Sequence, residues 1–230
     1  MGLGVGDLQQ KSKNLKNNNR RLRAPFYMIR DDTLNCEMIN LSFIFTVHTE
    51  REEVRAIKIS INAGHTKTGA GYGAEYKGFR ESEINRAVVT ALIPKLKKLG
   101  HTVHNSTVDK AATNKAYLQQ AVKSSNNSGA ELFLSIHCNA STAHTGYGVE
   151  CWTYKGAQHT EAKQICANLS SLGFRNRGVK DGRNLYVVKN TYAKAILIEL
   201  FFLDNYTDRK LYIELGADKI AQAIADAIGK

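Results

Sequence analysis

From Ala56 onward the chain alternates short apolar segments with amphipathic ones, and this alternation restricts its fold more than any other feature. Ile57-Lys58-Ile59-Ser60-Ile61 alternates apolar and polar side chains, the period of a strand. Residues 81–99 then place Ile84, Val88, Leu92 and Leu96 on one helical stripe, and Gly100 supplies a stop. The same reading predicts strands at 101–106, 131–136, 149–154, 185–188 and 195–202. It predicts further helices at 113–125, 158–171 and 213–228. Strands alternating with helices define an α/β class, a layered domain around a largely parallel sheet.

The first 55 residues lack this rhythm. Only Leu41 to Val47 reads as a strand, and residues 11–23 form a basic stretch with Lys11, Lys13, Lys16, Arg20, Arg21 and Arg23. We therefore expect an irregular N-terminal extension over 1–55 and a catalytic domain over 56–230. No aromatic residue interleaves with the basic ones, which weakens a single-strand nucleic-acid reading of that stretch. The 230 residues carry 32 Lys and Arg against 21 Asp and Glu, a net charge of +11. Of this, +2 lies in residues 1–56 and +9 in residues 57–230. Such a surface suits an anionic partner: nucleic acid, an acidic polymer or a membrane face. No apolar run approaches the roughly 18 residues needed to cross a bilayer. No apolar signal-like core lies within the first 19 residues, so synthesis in the cytoplasm without a signal peptide is the expectation.

Four residues stand where chemistry is expected. His65 follows the first strand and its glycine, and His137 ends the strand beginning near Leu132. Ligands of open α/β sheets bind beyond the carboxyl ends of strands, so the two histidines can converge. Two unrelated structural histidines are the alternative. Glu81 opens the helix on its apolar stripe, whereas Glu83 lies about 200° further round and should face water. Glu199 interrupts the apolar run Ala195-Ile-Leu-Ile-Glu-Leu-Phe-Phe202, where a carboxylate needs a partner. A salt bridge would be its bland explanation. Two histidines and a glutamate match an open zinc site, and a second carboxylate beside it can move protons. The metalloprotease pattern His-Glu-x-x-His and the deaminase pattern Pro-Cys-x-x-Cys are both absent. Cys36, Cys138, Cys151 and Cys166 show no Cys-x-x-Cys spacing, so free thiols are expected.

Six segments occur in a telling order: Asn62-Ala-Gly-His65, Arg80-Glu81, Leu134-Ser-Ile-His-Cys-Asn-Ala140, Gly148-Val-Glu150, Arg177-Gly-Val-Lys180 and Ile196-Leu-Ile-Glu199. Together they resemble the zinc-dependent N-acetylmuramoyl-L-alanine amidases of the type-3 family, most closely the clostridial phage endolysin branch. The resemblance runs from about Ile57 to Lys230. It implies a sheet of about six strands with helices on both faces. It implies one Zn2+ held by His65, Glu81 and His137, with Glu199 as the catalytic carboxylate. Asn139 would support the ligands or touch substrate. The implied reaction cuts the amide between N-acetylmuramic acid and L-alanine of peptidoglycan, as an endolysin or autolysin does. Peptidoglycan, with the anionic polymers of the wall beside it, becomes the expected partner, with no nucleic acid and no membrane insertion. The enzyme would act on the wall after release. Gly-His-Thr-Lys replaces the common Gly-His-Gly-Gly, and Cys138 replaces a common alanine; neither change removes a ligand. Three rivals remain at this point. They are a zinc peptidase cutting stem peptides, a basic nucleic-acid-binding protein, and a wall-binding relative without catalysis.

Overall fold

The computed structural model describes residues 55–229. The strand expected at 41–47, the basic stretch at 11–23, Cys36 and the rest of the extension up to residue 54 lie outside the described residues. Six strands form one sheet: β1 (Lys58–Ala63), β2 (Thr102–Asn105), β3 (Leu132–Asn139), β4 (Val149–Thr153), β5 (Asn176–Asp181) and β6 (Lys194–Phe202). Their spatial order is β2-β1-β3-β6-β4-β5. All neighbours run parallel except β6 and β4, which are antiparallel. The α/β class, the six-stranded sheet and its mostly parallel character agree with the sequence reading.

Helices cover the sheet unequally. On one face lie α1 (Glu81–Lys98), α3 (Thr160–Ser171) and α5 (Tyr206–Ile228). Ile59, Ile61, Leu134, Ile136 and Ile198 of the sheet are buried there against Val88, Leu92, Ile165, Ile220 and Ile224. Each fully buried side chain of this size contributes about 1.5–3 kcal/mol relative to exposure. The other face carries α2 (Asn114–Ser128) and α4, only five residues long (Tyr186–Asn190). Its apolar cluster is small: Phe133, Ala195 and Leu197 meet Val122, Val187 and Val188. Beyond it this face turns polar, because alternation sends Ser60, Asn62, Ser135, His137 and Glu199 to the same side. Among the described residues no helix is long and apolar enough to cross a membrane.

Two expectations are corrected. Leu185 to Val188 is not a strand; Tyr186–Asn190 is the helix α4, and the sixth strand is Asn176–Asp181. The run Leu-Tyr-Val-Val has strand-like composition, but helical geometry lets Val187 and Val188 both cover Phe133. Asn176–Asp181, with Arg177 and Lys180, is an edge strand whose polarity hides it from an apolar pattern. The last helix also starts earlier than 213. Asn205 caps it at Tyr206, its side chain accepting from the Asp208 amide, and Gly216 breaks its helical geometry at φ 71°.

Candidate functional site

The loop after β1, the last residues of strand β3 and the first turn of α1 meet at the carboxyl ends of the parallel strands. There His65, Glu81 and His137 converge, with one ligand atom from each lying within 4.8 Å of the others. His65 Nε2 stands 3.1 Å from Glu81 Oε2, and His137 Nδ1 stands 3.0 Å from Glu81 Oε1. Glu81 is buried and Glu83 is exposed, as the helical stripe predicts.

Each of the three side chains is held from behind. Glu81 Oε2 accepts from the Ala74 amide at 3.0 Å, and Oε1 accepts from the Cys138 amide at 3.1 Å. Its place in the first helical turn also suits a negative charge. His65 has a left-handed backbone, φ 68°, uncommon for a residue with a side chain. Three contacts hold it there: its amide donates to Tyr117 Oη at 2.7 Å, its Nδ1 meets the Gly71 carbonyl at 2.9 Å, and Arg86 Nη2 donates to its carbonyl at 3.1 Å. Two glycines leave the room: a Cβ on Gly64 would meet the His137 ring at 2.3 Å, and one on Gly73 would meet Glu81 Oε2 at 2.7 Å.

The protonation pattern points to a cation. A carbonyl can only accept, so His65 Nδ1 carries a proton and Nε2 turns its other side to Glu81. A neutral imidazole would then oppose a lone pair to a carboxylate oxygen at 3.1 Å. A second proton or a metal ion resolves that opposition. Burial pulls the His65 pKa down, but the hydrogen bond and charge of Glu81 outweigh it and raise it. Burial likewise pushes the Glu81 carboxyl up, yet hydrogen bonds from His137 and His65 hold it well below the usual carboxylate range. Two imidazoles and one carboxylate are also a familiar hydrolytic zinc donor set. The residues present therefore fit a divalent metal.

Glu199 stands on β6 directly beside His137 in the parallel register and beside Glu150 in the antiparallel one. Its Oε2 is buried with no hydrogen-bond partner among the described residues. Burial, and then the negative charges of Glu81 and Glu150, push its carboxyl well above the ordinary range. No salt bridge explains it among the described residues, so the bland reading falls away. The β6–β3 register shifts just after Glu199, between it and Phe202.

Asn139, two residues past His137, shares its face. Its Nδ2 donates to Glu150 Oε1 at 2.9 Å rather than to a ligand. Glu150 is itself buried and accepts from Arg177 Nε at 2.7 Å. Sequence reasoning gave Glu150 and Arg177 no role beyond their place in quoted segments; a lone carboxylate in an alternating strand carries no sign of burial. Tyr117 and Arg86 were missed for the same reason, since their contacts span 52 and 21 residues of chain. Cys138 points to the opposite face of β3, and Cys138, Cys151 and Cys166 are buried free thiols.

A family model described as N-acetylmuramoyl-L-alanine amidase, Amidase_3, matches residues 59–230. An uncharacterized protein of Clostridium perfringens is 35% identical over 182 residues, which cover 76% of this chain and 52% of that protein. The N-acetylmuramoyl-L-alanine amidase LytC of Bacillus subtilis is 33% identical, covering 73% of this chain and 34% of LytC. This chain thus spans about half of one relative and a third of the other. Among solved structures, the catalytic domain of the CD27L endolysin targeting Clostridia difficile superposes with a TM-score of 0.68 at 30% identity. That match covers 75% of this chain and 96% of the endolysin domain.

Proposed function

This chain belongs to the N-acetylmuramoyl-L-alanine amidase family Amidase_3, and on that premise we propose that it is a zinc-dependent peptidoglycan amidase. The bond cut is the amide joining the lactyl group of N-acetylmuramic acid to L-alanine. The observation that carries this reading is the convergence of His65, Glu81 and His137 beside the buried carboxyl oxygen of Glu199, which has no hydrogen-bond partner among the described residues.

His65, Glu81 and His137 would hold the zinc. When bound, the ion supplies Lewis acidity, polarising a carbonyl and lowering the pKa of water towards neutrality. The chain's own residues do the rest. Tyr117 and Arg86 fix the His65 backbone and the Gly71 carbonyl fixes its ring tautomer, so no reorganisation is needed as charge develops. Glu199 Oε2 takes a proton from the attacking water as the new C–O bond forms. The same oxygen returns that proton to the amide nitrogen as the C–N bond breaks, which yields a lactyl carboxylate and the free amine of L-alanine. A carboxyl whose proton affinity is raised by burial suits both halves of that transfer.

The +9 charge of residues 57–230 supports attraction to the wall and its anionic polymers. Adsorption to isolated walls should then weaken as salt rises. The deciding test is digestion of purified peptidoglycan with and without a chelator, followed by mass analysis. Lysis should stop on chelation, return with zinc, and expose new amino-terminal L-alanine. New termini within the stem peptide would make the enzyme a peptidase instead.

A further inference from the structure

Parallel and antiparallel registers set His137, Glu199 and Glu150 in one row across β3, β6 and β4, all on one face. Arg177 on β5 extends the row through its ion pair with Glu150. It lies where the β4–β5 register shifts, between the pairs Val149↔Asn176 and Cys151↔Val179. Its guanidinium is fixed on two sides. Nε donates to Glu150 at 2.7 Å, and the planar group lies 4.8 Å over the Phe202 ring. The side chain remains 30% exposed, and Nη1 and Nη2 have no hydrogen-bond partner among the described residues. Glu150 is held in turn by Asn139. A guanidinium so fixed presents a preformed two-pronged edge, the geometry that binds a carboxylate.

We propose that Arg177 is a specificity-determining residue that binds a carboxylate on the peptide side of the scissile amide. This rests on the amidase reading above. Substrate chemistry fixes the side: the lactyl carboxyl of the sugar is consumed in the scissile amide, so free carboxylates lie on the peptide. Distance agrees. Neighbouring strands lie about 4.8 Å apart, so the backbone of β5 stands about 10 Å from that of β6. An extended peptide covers this in about three residues, and the arginine side chain shortens it further. The carboxylate selected is therefore that of the residue following L-alanine, or its immediate neighbour. Asn139 and Glu150 are positioning residues for Arg177.

Binding separates this from turnover. The full chain carrying Glu199→Gln is titrated by calorimetry with two muropeptides. They are identical except that the residue after L-alanine, and the one beyond it, bears a carboxylate in one and a carboxamide in the other. About tenfold tighter binding of the carboxylate form is expected, the scale of a charge-assisted hydrogen bond. Adding Arg177→Lys should reduce that ratio several-fold. Adding Arg177→Gln with Glu150→Gln, which leaves no unpaired buried charge and keeps an acceptor for Asn139, should bring it near one. Equal binding of the two muropeptides while Arg177 is intact overturns the proposal, whether or not the variants fold. So does an unchanged ratio in either folded variant. Product analysis with the unmutated chain judges the amidase reading separately.

Discussion

The two faces of the sheet are built from the same strands and serve opposite ends. On the face under α1, α3 and α5, Ile59, Leu134, Ile136 and Ile198 pack as a continuous apolar layer. On the other, the residues one step along the same strands are Ser60, Asn62, Ser135, His137 and Glu199. Several of these are as buried as the apolar ones, but hydrogen bonds hold them. Ser135 Oγ donates to Asn62 Oδ1 at 3.1 Å, and Asn62 Nδ2 donates to the Ser106 carbonyl at 3.2 Å. The difference teaches a division of labour. One face supplies the stability that lets the other hold two carboxylates, Glu150 and Glu199, close together, with Glu81 added from the first turn of α1.

If that division holds, a change on the polar face should abolish chemistry without costing stability. Glu199→Gln keeps the shape and removes a buried negative charge. Turnover of peptidoglycan should fall about 10²–10⁴-fold, the range for loss of a general acid–base. The melting temperature should stay level or rise, because burying an ionised carboxyl is costly. Near-normal activity in a wall-lysis assay would break the comparison at its most important point.

The opposite change tests the other face. Phe201 is fully buried between Phe174 and Tyr212, with ring centroids 5.8 and 5.1 Å away. Phe201→Ala should cost about 3–5 kcal/mol. That corresponds to a fall of roughly 6–20 °C in melting temperature for a domain of this size. Activity per folded molecule at low temperature should survive. A variant that melts normally yet has lost turnover would show that the faces are not separable.

Tyr117 sharpens the boundary, since it belongs to the thin α2 layer but touches the site. Tyr117→Phe removes the acceptor for the strained His65 amide. A stability loss of about 1–3 kcal/mol is expected from the unsatisfied donor. Zinc should bind about tenfold more weakly, the lower end for removing a group that orients a ligand. Equilibrium metal titration would show both the direction and the size.

Much of the site was legible from single strands and helices. Glu199 announced itself as a charge within an apolar run, and Glu81 as a carboxylate on an apolar stripe. His65 and His137 followed from the rule that ligands bind at strand ends. Glu150 and Arg177 did not show, because their meaning depends on β4 inserting antiparallel beside β6 and on β5 adding at the edge. The strand Asn176–Asp181 was missed outright, since its side chains are mostly polar, and Leu185 to Val188 was misread because β-branched residues also suit a short buried helix turn. Pairings between distant segments leave no local pattern.

The central claim is that three residues gathered at the strand ends, His65, Glu81 and His137, hold one metal while a fourth, Glu199, moves the proton. Zinc stoichiometry of the purified full chain and its variants tests this most directly. One zinc per chain is expected for the unmutated protein and for Glu199→Gln, with little or none in folded His65→Ala, Glu81→Ala or His137→Ala. Full zinc content in any of the three ligand variants, or its loss in Glu199→Gln, would contradict it.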